Sequence, residues 1–166
     1  MVRNRQGVEP VRPVASVGRR RTQRVKRAND PNTVWRLLDA NFNRAREGLR
    51  VLEDSARFVM RQPAAARRLR ELRHELDVLA RIHYRRLLAN RDVRGDCGRA
   101  NPATTYTSGL SDLLAANFKR CEEALRVIEE YSRLLAPRAR PTAQAIRFGV
   151  YHLEKRLCGA RSNDRD

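Results

Sequence analysis

Six polar positions of this chain are written twice, 76 residues apart: Asn41 and Asn117, Arg44 and Arg120, Glu47 and Glu123, Arg50 and Arg126, Glu53 and Glu129, Arg57 and Arg133. Their types suit one kind of chemistry. Arginine presents a fixed fork of donors to phosphate oxygens. Carboxylates such as Glu53, Asp54, Glu129 and Glu130 can hold Mg²⁺ on a phosphate ligand. Together the set suits binding of a phosphorylated small molecule, and phosphoryl transfer, where catalysis is mostly positioning and charge neutralisation. For each single residue the alternative is an internal salt bridge that specifies packing or a contact with a partner subunit.

The elements that must position these residues are helices. From Leu37 to Met60 and from Leu113 to Ala136, 12 of 24 positions are identical. In the first copy Leu38, Phe42, Ala45, Leu49, Leu52, Ala56 and Val59 step by alternating fours and threes, which is one apolar stripe on one long helix. Leu114, Phe118, Cys121, Leu125, Ile128, Ser132 and Leu135 repeat it in phase, so Cys121 reads as a buried core thiol. Asp30-Pro31-Asn32-Thr33 reads as the start of the first helix. On a helical wheel Asn41 lies at the edge of the stripe, Arg44 and Glu53 flank it on opposite sides, and Glu47 and Arg50 lie largely on the far face.

A proline break follows each copy, at Gln62-Pro63 and from Pro137 to Pro141, and a further helix follows each break. "LRHELDVLARI" from Leu72 aligns with "IRFGVYHLEKR" from Ile146, pairing Arg73 with Arg147. Two αα-hairpins in tandem bury their stripes by packing on each other, so the expected fold is an all-α bundle with four main helices and an approximate internal two-fold axis. The expected organisation is a disordered basic arm over 1–30, repeat 1 over 31–89, a connector over 90–110, repeat 2 over 111–158 and a short disordered tail over 159–166. The connector, "NRDVRGDCGRANPATTYTSGL", is long for a compact domain and carries Arg91, Asp92, Arg94, Asp96 and Arg99 around Gly95 and Gly98. It reads as functional: the Gly95-Asp96-Cys97-Gly98 turn can offer backbone N–H groups to an anion and a carboxylate to a metal.

Composition narrows the partners. The chain has 166 residues, 33% charged and 5% aromatic, with a formal net charge of +17. Such a charge asks for an anionic ligand, and nucleic acid is one candidate. Against it, only three of the 36 basic residues are lysine, a bias that codon usage can produce, and nine of them lie in the arm outside the repeat. Cys97, Cys121 and Cys158 have no zinc-ligand or CxxC spacing, which fits a reduced, cytoplasmic protein without a structural metal. No apolar run reaches membrane-spanning length. His74, His83 and His152 form no compact metal set; His74 and His83 read as surface residues, His152 as packed. Neither a GxxxxGK[ST] loop nor a GxGxxG turn is present.

The segments "LLDANFNRAREGLRVLEDSARF", "LRHEL", "RDVRGDCG", "ANFKRCEEALRVIEEYSRL" and "YHLEKRL" resemble a helical domain family of thiamine biosynthesis. That family occurs alone or fused ahead of thiamine-phosphate synthase and acts as a hydroxymethylpyrimidine phosphate kinase. The resemblance covers roughly residues 34–157. It implies an enzyme that uses Mg²⁺ and ATP to phosphorylate hydroxymethylpyrimidine phosphate to the diphosphate. Its motifs fall on Asp39, Asn41, Asn43, Arg44, Glu47, Gly48, Arg50, Glu53 and Asp54; on Arg91, Asp92, Gly95, Asp96 and Gly98; and on Asn117, Lys119, Arg120, Glu123, Arg126, Glu129, Glu130 and Tyr131. Cys97 replaces the valine usual there. With no synthase barrel in the sequence, joining pyrimidine to thiazole is not expected of it.

On this basis Asp96, Glu53 and Glu130 are expected to handle metal or protons, with Mg²⁺ at Asp96 and Glu53. Arg44, Arg50, Arg91, Lys119, Arg120 and Arg126 are expected to hold phosphates, and Asn41 and Asn117 to hydrogen-bond the substrate. Glu47, Arg73, Asp92, Gly95, Gly98 and Glu123 complete the expected binding set. A homo-oligomer is expected, dimeric or larger. The rival readings are a non-catalytic partner that binds a thiamine precursor or a synthase, and a nucleic-acid-binding protein using the arm.

Overall fold

The computed structural model describes residues 30–94 and 109–159. Helix α1 (Pro31–Asp54) begins where the sequence says it must: Asp30 is extended, and its side chain accepts a hydrogen bond from the Asn32 N–H at 3.1 Å. Proline in the first turn costs no backbone bond, because that N–H would have no intrahelical acceptor. Helix α1 buries Val34, Trp35, Leu38, Phe42, Ala45, Leu49 and Leu52.

The next turn departs from the expected stripe. Residues Ser55–Val59 are wound as a π turn, with the Met60 N–H donating to the Ser55 carbonyl at 2.9 Å. The added residue per turn rotates the end of the helix away from the register of the stripe. Ala56 stays fully buried, but Val59, expected on the stripe, is 63% exposed. The chain then reverses through Arg61, whose φ is 55°, and Pro63 opens helix α2 (Pro63–Ile82).

A short helix α3 (Tyr84–Ala89) extends the first hairpin beyond the four main helices expected. The second half runs through helix α4 (Leu110–Leu135), a 3-10 turn over Pro137–Ala139 and helix α5 (Arg140–Cys158). The described residues contain no strand, so the fold is all-α. Helices α1 and α4 pack against each other along their length, α2 covers the outer side of α1, and α5 covers that of α4; α2 and α5 also touch. No helix among the described residues is long and apolar enough to cross a membrane.

The core runs through all four long helices, with Leu38, Leu49, Leu52, Leu72, Phe118, Leu125, Ile128 and Ile146 buried to 1% or less. Each such side chain contributes about 1.5–3 kcal/mol on burial. Cys121 is fully buried, as its place on the stripe requires. His74 is exposed and His83 half-buried with its ring 5.1 Å from that of Trp35. His152 is exposed rather than packed, because α5 turns Leu153 and Val150 to the core and His152 away from it.

Candidate functional site

The repeated polar residues divide into two sets, and the division follows which neighbour covers each flank of α1 and α4. On the flanks facing the outer helices the charges are spent on one another. Glu53 is 1% exposed; it accepts from Arg70 Nε and Arg73 Nε of α2, each at 3.0 Å. Burial pushes its carboxyl up, but the hydrogen bonds and charges of Arg70 and Arg73 outweigh this and hold it below the ordinary range. Its counterpart Glu129 accepts from Arg147 Nε at 3.1 Å and Arg147 Nη2 at 2.8 Å, from α5.

The exposed residues beside these pairs follow the same symmetry. Arg50 donates to Asp54 at 2.9 Å, and Arg126 reaches Glu130 at 2.7 Å and Glu129 at 3.3 Å. Glu130 also meets Arg133 at 3.3 Å. Thus Glu53 and Arg73, both expected at the site, clasp the two helices of the first hairpin, while Arg50, Arg126 and Glu130, expected there too, are engaged by pairs along their own helices.

On the opposite flanks, where α1 faces α4, an open groove of about 610 Å³ remains. Its lining repeats with the sequence. Asn41, Arg44, Glu47, Gly48 and Val51 come from α1, and Asn117, Arg120, Glu123, Ala124 and Val127, each 76 positions later, come from α4. Only Gly48 and Ala124 differ in type within these pairs. The two asparagines are anchored alike, each Nδ2 donating 2.8 Å back to its own helix, to the carbonyls of Leu37 and Leu113. Both are buried, and this fixes which way their amides face.

The carboxylates of the groove are unlike those elsewhere among the described residues. Among the described residues Glu47 and Glu123 are the two carboxylates that make no ion pair or hydrogen bond. Arg44 and Arg120 likewise have no such partner there. In a chain with 36 basic residues against 19 acidic ones, an acid left alone twice, at positions related by the internal repeat, is not explained by a shortage of cations. Glu47, read from the wheel as a far-face residue, lines the groove on the flank of α1 that faces α4.

The other expected residues are placed elsewhere. Arg91 grips Asp39 with two hydrogen bonds of 2.8 and 2.7 Å, tying the end of the first hairpin to α1. Asp92 meets Arg36 at 3.1 Å. Lys119 bridges Glu122 at 2.9 Å and Glu154 at 3.1 Å. Gly95, Asp96 and Gly98, with Cys97 and Tyr106, lie outside the described residues. Groups of three or more histidine, cysteine or acidic side chains able to hold a metal are absent among the described residues.

Val51 and Val127, at the groove, were not singled out from the sequence; their signal is that both copies keep valine at a position off the stripe.

Known proteins share this chain's sequence pattern. It is 43% identical over 128 residues to a thiamine-phosphate synthase of Nostoc punctiforme, covering 76% of this chain and 36% of that protein. It is 41% identical over 137 residues to a thiamine-phosphate synthase of Thermosynechococcus vestitus, covering 81% and 38%. A thiamine-phosphate synthase of Rhodopirellula baltica is 37% identical over 143 residues, covering 82% and 38%. The chain therefore spans little more than a third of the length of the curated relatives it matches. No solved structure matches it. The ThiD2 family model matches residues 36–156, which takes in all four long helices and the groove between α1 and α4, and the chain belongs to the ThiD2 family.

Proposed function

We propose that the chain acts in thiamine biosynthesis as a kinase that transfers a phosphoryl group from ATP to hydroxymethylpyrimidine phosphate in the α1–α4 groove. The observation that carries this reading is the groove's set of unpaired charges, Arg44, Arg120, Glu47 and Glu123, placed beside two anchored asparagines. The curated relatives are named thiamine-phosphate synthase, for a different step. The ThiD2 match and the resemblance carried by the sequence motifs favour phosphorylation for the helical part that this chain shares with them.

The residues present fit a hard cation. Two free carboxylates face one groove, and Mg²⁺ is characteristically bound by one or two carboxylates together with waters and substrate phosphates rather than by an all-protein cage. Glu47 and Glu123 are the groups that would hold it; Glu53, paired with two arginines, is a poorer donor. Bound there, Mg²⁺ would neutralise charge on the transferring phosphate. Arg44 and Arg120 supply forked donors for phosphate oxygens, and Asn41 and Asn117 offer their remaining amide groups to the pyrimidine or its substituents. The open side of the groove admits the ligands, and Val51 and Val127 give it apolar walls.

The test is ATP consumption by the purified chain with Mg²⁺ and hydroxymethylpyrimidine phosphate, with identification of the product. Appearance of the pyrimidine diphosphate, lost in Arg44→Ala, supports the reading. Binding of the pyrimidine phosphate with no turnover would replace it with a carrier that delivers the precursor to a synthase.

A further inference from the structure

From the symmetry of the groove we infer that its two halves take the two reacting phosphates, one held at Arg44 and the other at Arg120. The inference rests on the kinase reading above and adds to it a division of labour. Each half offers the same three groups, an asparagine anchored to its own helix, an unpaired arginine and an unpaired glutamate: Asn41, Arg44 and Glu47 from α1, and Asn117, Arg120 and Glu123 from α4. Equal chemistry on both sides recognises equal chemical groups. A kinase acting on an alcohol presents a phosphate on one side and a hydroxyl on the other, and two matching halves would serve it poorly. A phosphate-to-phosphate transfer presents a phosphate from each side.

The step balances without a base. An oxygen of the acceptor's phosphate monoester, already deprotonated near neutral pH, forms a bond to the γ-phosphorus of a nucleoside triphosphate. The bond from that phosphorus to the β–γ bridging oxygen breaks, and the nucleoside diphosphate leaves with the electron pair. No proton must be removed from the nucleophile, which agrees with the groove's lack of a histidine. What the halves must do is hold two mutually repelling anions in line, and two arginines facing across one groove supply the countercharge to each. The glutamates, set one helical turn along from each arginine, would hold a divalent cation that offsets the charge of the phosphates.

The experiment uses the full chain and its Arg44→Ala and Arg120→Ala variants, both at exposed, unpaired positions. Calorimetric Kd values are measured separately for a non-hydrolysable ATP analogue with Mg²⁺ and for hydroxymethylpyrimidine phosphate, with circular dichroism melts beside them. The expected result is a crossed pattern: each variant weakens one ligand by about 10- to 100-fold, the value of a charge-assisted hydrogen bond, and leaves the other within about 3-fold, with the affected ligand exchanged between variants. Loss of the same ligand in both variants, or equal loss of both ligands in each, overturns the division while leaving the kinase reading in place. Wild type that binds neither ligand overturns both. A dimer by sedimentation that becomes monomeric in both variants, with ligand affinities unchanged, shows the groove to be an interface and overturns the inference.

Discussion

A methyl group placed on Gly48 would lie 2.6 Å from the Sγ of Cys121. The Sγ also approaches the Ala45 carbonyl at 3.6 Å, and Ala45 is the residue that Cys121 replaces in the repeat. The two copies thus differ at a point where α1 and α4 are in direct contact. One helix carries a sulfur on its stripe; the other has no side chain one turn along, where the sulfur needs room.

Gly48→Ala is therefore expected to cost about 1–2 kcal/mol, overpacking at a crossing of two helices outweighing the better helix propensity of alanine. In a Cys121→Ala background the cost shrinks, because the obstructing sulfur is gone and only the Asn117 carbonyl, 3.3 Å from the added methyl, still crowds it. Urea unfolding of both single variants and the double variant checks this; simple additivity would show that the contact is not felt.

Glu129→Ala is expected to destabilise the fold by about 3–5 kcal/mol, since it strands the Arg147 guanidinium, 9% exposed, inside the second hairpin. Glu53→Ala is expected to cost less: Arg70 is 50% exposed and returns to water when its partner is lost. Denaturant midpoints of the two variants, measured side by side, rank them.

Acid and base should act on different glutamates. Glu53 is held below its ordinary range, so its contribution to stability is present above pH 4.5, its unfolded value, and fades as pH falls through its folded one. Glu122 is the opposite case. Burial raises its carboxyl, the neighbouring Glu154 adds to this, and Lys119 only partly offsets it; its Oε1 is buried without a partner. A raised carboxyl favours folding in its protonated form, so that stabilisation is lost as pH rises. Glu122→Gln should therefore melt above wild type at pH 7, with the gap closing towards pH 4.

Cys121 should resist modification in the native protein. Burial, first, and the nearby Glu122 push its thiol up to about 12, leaving little thiolate at neutral pH. Cys158, only partly buried, should alkylate first. Mass spectrometry of peptides from briefly labelled native protein compares the two; equal rates would mean that the α1–α4 crossing opens readily.

Glu47→Gln and Glu123→Gln should each leave the melting temperature within about 2 °C, since neither carboxylate is paired in the fold. Under the kinase reading each lowers turnover by roughly 10- to 100-fold and raises the Mg²⁺ concentration needed for half-maximal rate. Steady-state rates across a Mg²⁺ titration test this. Unchanged Mg²⁺ dependence in both variants would move the cation away from the groove.

The helical class, the repeat and the packing of its two hairpins on each other were legible in the sequence, because a stripe at helical spacing must be buried and neither hairpin can bury its stripes alone. Asp30 as a cap, the break at Gln62-Pro63 and Cys121 as a core residue followed from local chemistry alone. The division of the repeated polar residues between structure and site was not legible. A helical wheel shows that Arg44 and Glu53 lie on opposite flanks of the stripe, but not that α2 would cover one flank with arginines while α4 would leave a groove beside the other. Glu47 and Glu53 are both repeated in the second copy and chemically alike; one carboxylate faces an open groove and the other is buried under two guanidiniums. The π turn that exposes Val59 was equally hidden, since one extra residue in a turn is settled by how α2 docks beyond Pro63. What the chain spells out by itself is which faces are apolar; which charges remain free is decided only when four helices are packed together, because a charge is paired or left alone by neighbours distant in sequence.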